Sequence, residues 1–131
     1  MIVIDVETTG VYPEKNSIVS IGAVDFSKPE NQFYEECRVW EGADITLGAL
    51  SINGFTEEQI TEPNKMSLEE AVKKFINWTE EIEERTFAGE NPNFDKSFLE
   101  DSLKRYKMDY RVGHRIIDLH SLSYAHHLKI G

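Results

Sequence analysis

The chain has 131 residues, of which 40% are hydrophobic and 11% aromatic, and it carries a formal net charge of −10. These values fit one globular domain with a sizeable core, and because no apolar stretch is long enough to cross a membrane, we expect no membrane partner. The acidity argues against a broadly basic surface for nucleic acid. It leaves two alternatives: the protein binds none, or bound cations bridge its carboxylates to phosphate groups.

Cysteine usage and the start of the chain bear on location. Cys37 is the only cysteine, so no internal disulfide can form, and a lone cysteine in a strand-like segment is more typical of a small core residue than of a nucleophile. The first strand begins directly after Met1, with no segment resembling a signal peptide before it. We therefore expect a cytoplasmic protein, in a compartment that keeps thiols reduced.

The first forty residues predict three strands. Apolar and alternating segments broken by turn-forming residues place the strands at 2–7, 18–26 and 33–40, with a loop at 11–17 and a turn at 28–31. Because the links are short, the strands are expected to form an antiparallel meander. The apolar run of the first strand is typical of a central strand that is covered on both faces.

Helices dominate the rest of the predicted order. Residues 46–52 form a short helix, and Thr56 caps another. The clearest helix spans 68–84, where Ser67-Leu-Glu-Glu70 has the spacing of a capping box and apolar residues recur at helical spacing. The order is completed by a strand at 86–89, a helix capped by Asn93 and running to about Lys107, a strand at 115–117 and a helix that begins at Asp118 or Ser121. This order predicts an α/β fold with a mixed sheet flanked by helices.

Two carboxylates interrupt the first strand, at Asp5 and Glu7. Side chains alternate between the faces of a strand, so these two point the same way. Repulsion and lost hydration make such a pair costly unless cations neutralise it, and hard divalent ions prefer oxygen ligands. The pair therefore predicts a site for Mg²⁺ or Mn²⁺, with a solvated strand end as the alternative.

A third carboxylate, Asp95, lies in the first turn of a predicted helix. The helix dipole stabilises an anion there, and the same helix carries Phe98 and Leu99 inward. We therefore expect Asp95 at the edge of the core rather than on an open surface. The simpler alternative is that Asp95 only favours the start of the helix.

These segments resemble motifs of the DEDD 3′–5′ exonucleases, a family that includes the proofreading subunit of bacterial DNA polymerase III and oligoribonuclease. The first motif is similar to Asp5-Val-Glu7-Thr8-Thr9-Gly10, and the second is similar to Asn91-Pro-Asn-Phe94-Asp95 followed by Phe98-Leu99. The segment Ile52-Asn53-Gly54-Phe55-Thr56 resembles a family turn between them, in which a His more often stands at the position of Asn53. The resemblance covers nearly the whole chain.

The resemblance implies a ribonuclease H-like fold, in which the first strand is central and the helix of the second motif lies beside its carboxylates. It also implies hydrolysis of phosphodiester bonds with two Mg²⁺ or Mn²⁺ ions. Asp5 would bridge both ions, Glu7 would bind the ion that holds the attacking water, and Asp95 would anchor the other. The terminal nucleotide would be bound at Thr8, Thr9 and Asn91.

The chain departs from the family pattern after Asp95. The third motif of the family carries a fourth carboxylate and a His or Tyr general base, as His-x-x-x-x-Asp in the His subclass, and no segment matches it; His114-Arg-Ile-Ile-Asp118 is too short and follows Asp95 too closely. We therefore expect residues 1–131 to be a single exonuclease-like domain that ends before the third motif. Weaker candidates for the base are His114 with Asp118, and His126 or His127. Glu90 stands where the family often has a His, and it either binds a metal ion or faces solvent.

The leading hypothesis is a 3′–5′ exonuclease of the His type that acts on single-stranded 3′ ends of DNA or RNA, with a DNA polymerase as a suggested partner. A second hypothesis is a catalytically incomplete module that binds nucleotide ends or a polymerase. A third is a different ribonuclease H-like enzyme, such as an endonuclease. The sequence does not distinguish DNA from RNA, because that choice depends on contacts to the 2′-hydroxyl.

Overall fold

The computed structural model describes residues 1–110 and 115–120. Within these residues the chain forms a mixed sheet with its helices placed between strands. In chain order the elements are β1 (Ile2–Thr8), β2 (Ile18–Asp25), β3 (Lys28–Glu36), α1 (Leu47–Asn53), α2 (Glu57–Ile60), α3 (Leu68–Glu80), β4 (Phe87–Gly89), α4 (Pro92–Arg105) and β5 (Ile116–Asp118).

The sheet has the strand order β3-β2-β1-β4-β5, so β1 is the middle strand. Strands β1, β2 and β3 pair antiparallel, as the short links predict, whereas β4 pairs parallel with both β1 and β5. The predicted α/β class and the central position of the first strand are confirmed. This order places the end of β1 beside the start of α4, which directly follows β4.

One face of the sheet is covered and the other is largely open in the part of the chain that the structure describes. Ile2, Ile4 and Val6 are buried in a single core with the apolar sides of α3 and α4. On the opposite face of β1, Asp5 is exposed and Glu7 is half-buried. The expectation that both faces of this strand are covered is therefore wrong for these residues, because both long helices pack on the Ile4 face.

The third strand is shifted from its predicted position. The hairpin turns at Phe26 and Ser27, where the Asp25 carboxylate accepts hydrogen bonds from the Ser27 N–H (3.0 Å) and hydroxyl (3.1 Å). The predicted turn at 28–31 is therefore part of β3. Strand β3 ends at Glu36 instead of residue 40. The Cys37 N–H still donates to the Val19 carbonyl of β2, but the Arg38 N–H donates to the Met66 carbonyl before α3 and the Val39 N–H donates to the Ile60 carbonyl of α2.

Local capping signals placed the helix starts well. Thr46 caps α1, Thr56 forms a full capping box on α2, and the Ser67 hydroxyl accepts from the Glu70 N–H at the start of α3. The ends were predicted less well. Helix α3 ends at Glu80 instead of residue 84, and α4 begins at Pro92, ahead of the predicted cap Asn93.

Three further expectations concern single features. Cys37 is fully buried, and burial raises the pKa of its thiol to about 12, which suits the predicted core residue. Among the described residues, no helix combines the length and apolarity that a membrane crossing requires. Residues 119 and 120 are helical after β5, whereas Ser121, His114, His126 and His127 lie outside the described residues.

Candidate active site

The two carboxylates of β1 lie on one face of the strand, as predicted. They stand opposite Gly22 and Ser20 of β2, on the open side of the sheet. Partial burial raises the pKa of Glu7, and the nearby Asp5 carboxylate raises it further. The pair therefore carries a repulsion that a bound cation would relieve.

Asp95 reaches β1 from the first turn of α4. It is 5% exposed, and its Oδ1 accepts a hydrogen bond of 2.8 Å from the Val6 N–H. Burial raises the pKa of Asp95 to about 6, with further contributions from Asp5 and Glu7, while the Val6 hydrogen bond opposes the shift. The structure thus couples all three predicted carboxylates electrostatically around the end of one strand.

Gly89, at the end of β4, makes this approach possible. A Cβ atom at this position would lie 2.8 Å from the Ile4 carbonyl oxygen and 3.7 Å from Asp95 Oδ2. A contact of 2.8 Å to backbone cannot be relieved by rotating a side chain. No sequence pattern identifies Gly89, because the restriction arises from packing between β4, β1 and α4.

The carboxylate oxygens of Asp5, Glu7 and Asp95 suit a hard divalent cation, although in this arrangement they do not enclose one. Carboxylate oxygens are the ligands that Mg²⁺ and Mn²⁺ prefer. Within residues 1–110 and 115–120, however, no three Asp, Glu, His or Cys side chains are grouped closely enough to hold a metal ion as they lie. Asp5, Glu7 and Asp95 fit the chemistry of the group, and their side chains would have to adjust to enclose it.

The two threonines of the first motif are tied into the fold. The Thr8 hydroxyl donates to the Gly10 carbonyl (2.6 Å), and the Thr9 hydroxyl donates to the Asp44 carbonyl (2.6 Å) and accepts from the Ser17 N–H (2.9 Å). Thr9 is fully buried, whereas Thr8 lines a cavity next to the carboxylates. The predicted substrate contacts of Thr8 and Thr9 stay predictions. The backbone of Thr9 is also engaged, since its N–H donates to the Ser17 carbonyl and its carbonyl accepts from Thr46.

This cavity has a volume of about 310 Å³ and adjoins Glu7. Three segments form its walls: the loop after β1 with Val11 and Tyr12, helix α1 with Ala49 and Ile52, and Phe94 of α4. The lining is mainly apolar beyond Glu7. A cavity of this kind beside a pair of carboxylates is the place where a small ligand, or the end of a polymeric ligand, would bind.

Asn53 fixes the α1 wall of the cavity to the first motif. Its Nδ2 donates to the Thr8 carbonyl (3.0 Å), and its Oδ1 accepts from the Phe55 N–H (3.1 Å). The sequence predicted no role for this side chain. Its place in a segment resembling a family turn was the one available signal.

Asn91 and Glu90 lie at the start of α4, and both are exposed. Asn91 is the N-cap residue, but its side chain makes no capping hydrogen bond. Its carbonyl instead accepts from the Phe94 N–H (3.0 Å). The side chain is therefore available for a ligand, and the predicted role of Asn91 in substrate binding stays a prediction.

A mixed sheet of this order, with two carboxylates on the central strand and a third on the neighbouring helix, defines a ribonuclease H-like domain of the DEDD type. The model of the exonuclease family RNase_T matches residues 2–128. Because the match spans nearly the whole chain, the chain belongs to this exonuclease family. The resemblance predicted from the two motifs is confirmed.

Individual relatives agree with this assignment. The chain is 32% identical to a PolC-type DNA polymerase III from Thermotoga petrophila over 100 residues, which is 75% of this chain and 7% of the polymerase. It is 29% identical to the 3′-5′ DNA exonuclease Cap18 from Escherichia coli over 127 residues, 93% of this chain and 66% of that protein. The nuclease domain of 3′hExo, a DEDDh family member bound to rAMP, shares the fold with a TM-score of 0.71 at 19% identity, covering 99% of this chain and 70% of that one.

Proposed function

We propose that this protein is a metal-dependent 3′–5′ exonuclease that hydrolyses the terminal phosphodiester bond of a nucleic acid. The observation that carries the proposal is the convergence of Asp5, Glu7 and Asp95 at the end of β1, beside a cavity of about 310 Å³. Family membership supports the reaction class, and the name of the relative Cap18 supports the direction.

Each carboxylate has a distinct role in this proposal. Asp5 and Glu7 would hold divalent cations from β1, and Asp95 would complete the set from α4. Two such cations, Mg²⁺ or Mn²⁺, would supply activation of the attacking water and neutralisation of the departing 3′-oxygen. Of the three carboxylates, Asp95 is held in place, since the Val6 N–H donates to its Oδ1 and thereby orients the rest of that carboxylate.

The cavity would receive the terminal nucleotide. Its apolar walls would exclude bulk water from the terminal base, and Glu7, which lines the cavity, would face the bond to be cleaved. Thr8 and Asn91 would contact this nucleotide from the strand end and the helix start. Asn53 would act indirectly, by holding the α1 wall in place.

The general base is not found among the described residues that form the site. Asp118 ends β5 in register with Gly89, which brings it to the edge of the sheet nearest the site. His114, His126 and His127 stay candidates outside the described residues. The prediction that the third motif lies beyond residue 131 also stays a prediction.

The natural substrate would be a single-stranded 3′ end, and a DNA polymerase is a proposed partner. The polymerase is suggested by the PolC-type relative, of which this chain matches only 7%. A second candidate function is a module that binds nucleotide ends without cleaving them. It is favoured because, among the described residues, no three ligating side chains lie close enough together to hold a metal ion as they stand.

A labelled single strand tests the proposal. The protein is incubated with Mn²⁺ and a 5′-labelled oligonucleotide, beside Asp5→Asn and beside the same oligonucleotide with a blocked 3′ end. The proposal predicts a ladder that shortens from the 3′ end and is lost both in the variant and with the blocked end. Binding without cleavage would support the module, and cleavage of the blocked strand would show an endonuclease.

A further inference from the structure

Tyr12 presents an aromatic ring at the mouth of the cavity. The side chain lines the cavity and is 58% exposed. Val11 and Ile52 line the same cavity and are also exposed, so the ring belongs to a contiguous apolar surface of the kind that marks ligand-binding sites. Tyr12 is also not one of the motif residues identified from the sequence.

The backbone of Tyr12 is held firmly although its ring is open. The Tyr12 N–H donates to Asn16 Oδ1 (3.0 Å), and the Tyr12 carbonyl accepts from the N–H groups of Lys15 (2.9 Å) and Asn16 (2.7 Å). Asn16 is itself 3% exposed, and its Nδ2 donates to the Asp44 carbonyl (2.9 Å). The backbone that carries the ring is therefore preorganised, and little backbone entropy would be lost when the ring contacts a ligand.

A cation accompanies this ring. The Lys15 ammonium lies 5.7 Å from the centroid of the Tyr12 ring, and Lys15 is exposed. An aromatic ring next to an exposed positive charge suits a ligand that combines a planar apolar group with an anion. A nucleotide within a chain is such a ligand, since its base can stack while its phosphate meets the ammonium.

We propose that Tyr12 is a stacking platform for an unpaired nucleobase at the mouth of the cavity, and that Lys15 contacts the phosphate next to that base. The inference rests on the proposed function and names the residues through which the protein would prefer single-stranded ends. A base that remains paired and stacked in a duplex does not expose its face to the ring. Stacking reads no base edge, so the contact tolerates all four bases.

Binding measurements on the full chain test this role. A short 5′-fluorescein oligothymidine is titrated with wild-type protein, Tyr12→Ala and Tyr12→Phe, using Ca²⁺ as the divalent ion and fluorescence anisotropy as the signal. Phe26→Ala is the matched control, because Phe26 is also an exposed aromatic residue (63%) but lies at the β2–β3 turn, at the other end of β1 from the site. A second oligonucleotide with 2-aminopurine near its 3′ end reports stacking through quenching of its fluorescence.

The expected result is a loss of affinity of about tenfold in Tyr12→Ala, with the quenching lost as well, and near wild-type behaviour in Tyr12→Phe and Phe26→Ala. Lys15→Gln should reduce the salt dependence of binding by about one phosphate contact. Equal affinity and quenching in wild type and Tyr12→Ala would overturn the inference, as would equal losses in the Ala and Phe variants. If wild-type protein cleaves the strand, those results leave the proposed function standing. If wild-type protein neither binds nor cleaves it, both fail.

Discussion

At the scale of single residues, the site depends on a buried carboxyl group held beside two others. Asp95 is ordered by one backbone hydrogen bond from β1, and burial raises its pKa to about 6 from an ordinary value of 3.8. The fold therefore keeps an acid where its charged form is disfavoured. Such sites are commonly functional, because a cation can recover the stability that the charged group costs.

The pH dependence of stability should reveal this cost. An acid whose pKa is higher in the folded state binds its proton more tightly there, so its stabilising contribution is full below about pH 4 and is lost as the pH rises through about 6. Asp95→Asn removes the titrating group, and with it the loss of stability at rising pH, while its amide oxygen can still accept the hydrogen bond from the Val6 N–H. In metal-free buffer, the free energy of unfolding of the variant relative to wild type should rise by up to about 3 kcal/mol from pH 4 to pH 7.

Urea unfolding followed by circular dichroism, with a chelator present, measures this difference. The wild-type protein should regain stability at neutral pH when Mn²⁺ replaces the chelator, whereas Asp95→Asn should gain much less. If the difference in the free energy of unfolding between the two proteins does not change with pH, folding does not raise the pKa of Asp95.

Gly89→Ala tests the packing that brings β4, β1 and Asp95 together. The new methyl group would lie 2.8 Å from the Ile4 carbonyl oxygen, so the strands must separate, and we expect a loss of about 1–3 kcal/mol in the free energy of unfolding. Gly48→Ala in α1 is the control. A Cβ there meets nothing within 4 Å, and helix propensity predicts a gain of up to about 1 kcal/mol. Equal effects in the two variants would contradict the steric explanation.

At the scale of elements, α1 forms a wall of the cavity because two side chains tie it to the strand end. The Thr46 N–H and hydroxyl both donate to the Thr9 carbonyl, each at 2.8 Å, and Asn53 donates to the Thr8 carbonyl at the other end of the helix. A helix of seven residues has little stability of its own. Its position therefore depends on these hydrogen bonds to the first motif.

Asn53→Asp tests the importance of this anchoring. The variant keeps an acceptor for the Phe55 N–H but loses the donor to Thr8, so the α1 wall should loosen without loss of the fold. We expect KM for a single-stranded oligonucleotide to rise by about three- to tenfold while kcat changes less. Asn53→His restores a donor and should recover part of the loss. Equal falls in kcat for both variants, with KM unchanged, would place Asn53 in a different role.

The elements that the sequence predicted best are those with local signals. The apolar run of β1 and the capping residues Thr46, Thr56 and Ser67 depend on near neighbours, and all lie close to where they were expected. The shifted ends of β3 and the open face of β1 depend on packing between distant segments. The same holds for Asn53, whose partner Thr8 is 45 residues away, and no spacing rule predicts that contact.

At the scale of the whole molecule, an acidic chain is proposed to act on an acidic polymer. The net charge of −10 repels phosphates unless cations are bound between them. The three carboxylates at the end of β1 provide the place where those cations would lie. The proposed function therefore depends on cation binding at Asp5, Glu7 and Asp95 more than on any other single claim.

Titration calorimetry with Mn²⁺ near pH 6 tests that claim most directly, in two buffers that differ in their heat of ionisation. Glu58→Gln, which removes the same charge from an exposed position on α2, is the control for Asp5→Asn. We expect Mn²⁺ to bind to wild type and to Glu58→Gln with release of protons, since a pKa of about 6 keeps part of the Asp95 carboxyl group protonated, and we expect Asp5→Asn to bind Mn²⁺ far more weakly. Binding of equal strength in all three proteins, or no binding to wild type, would contradict this claim.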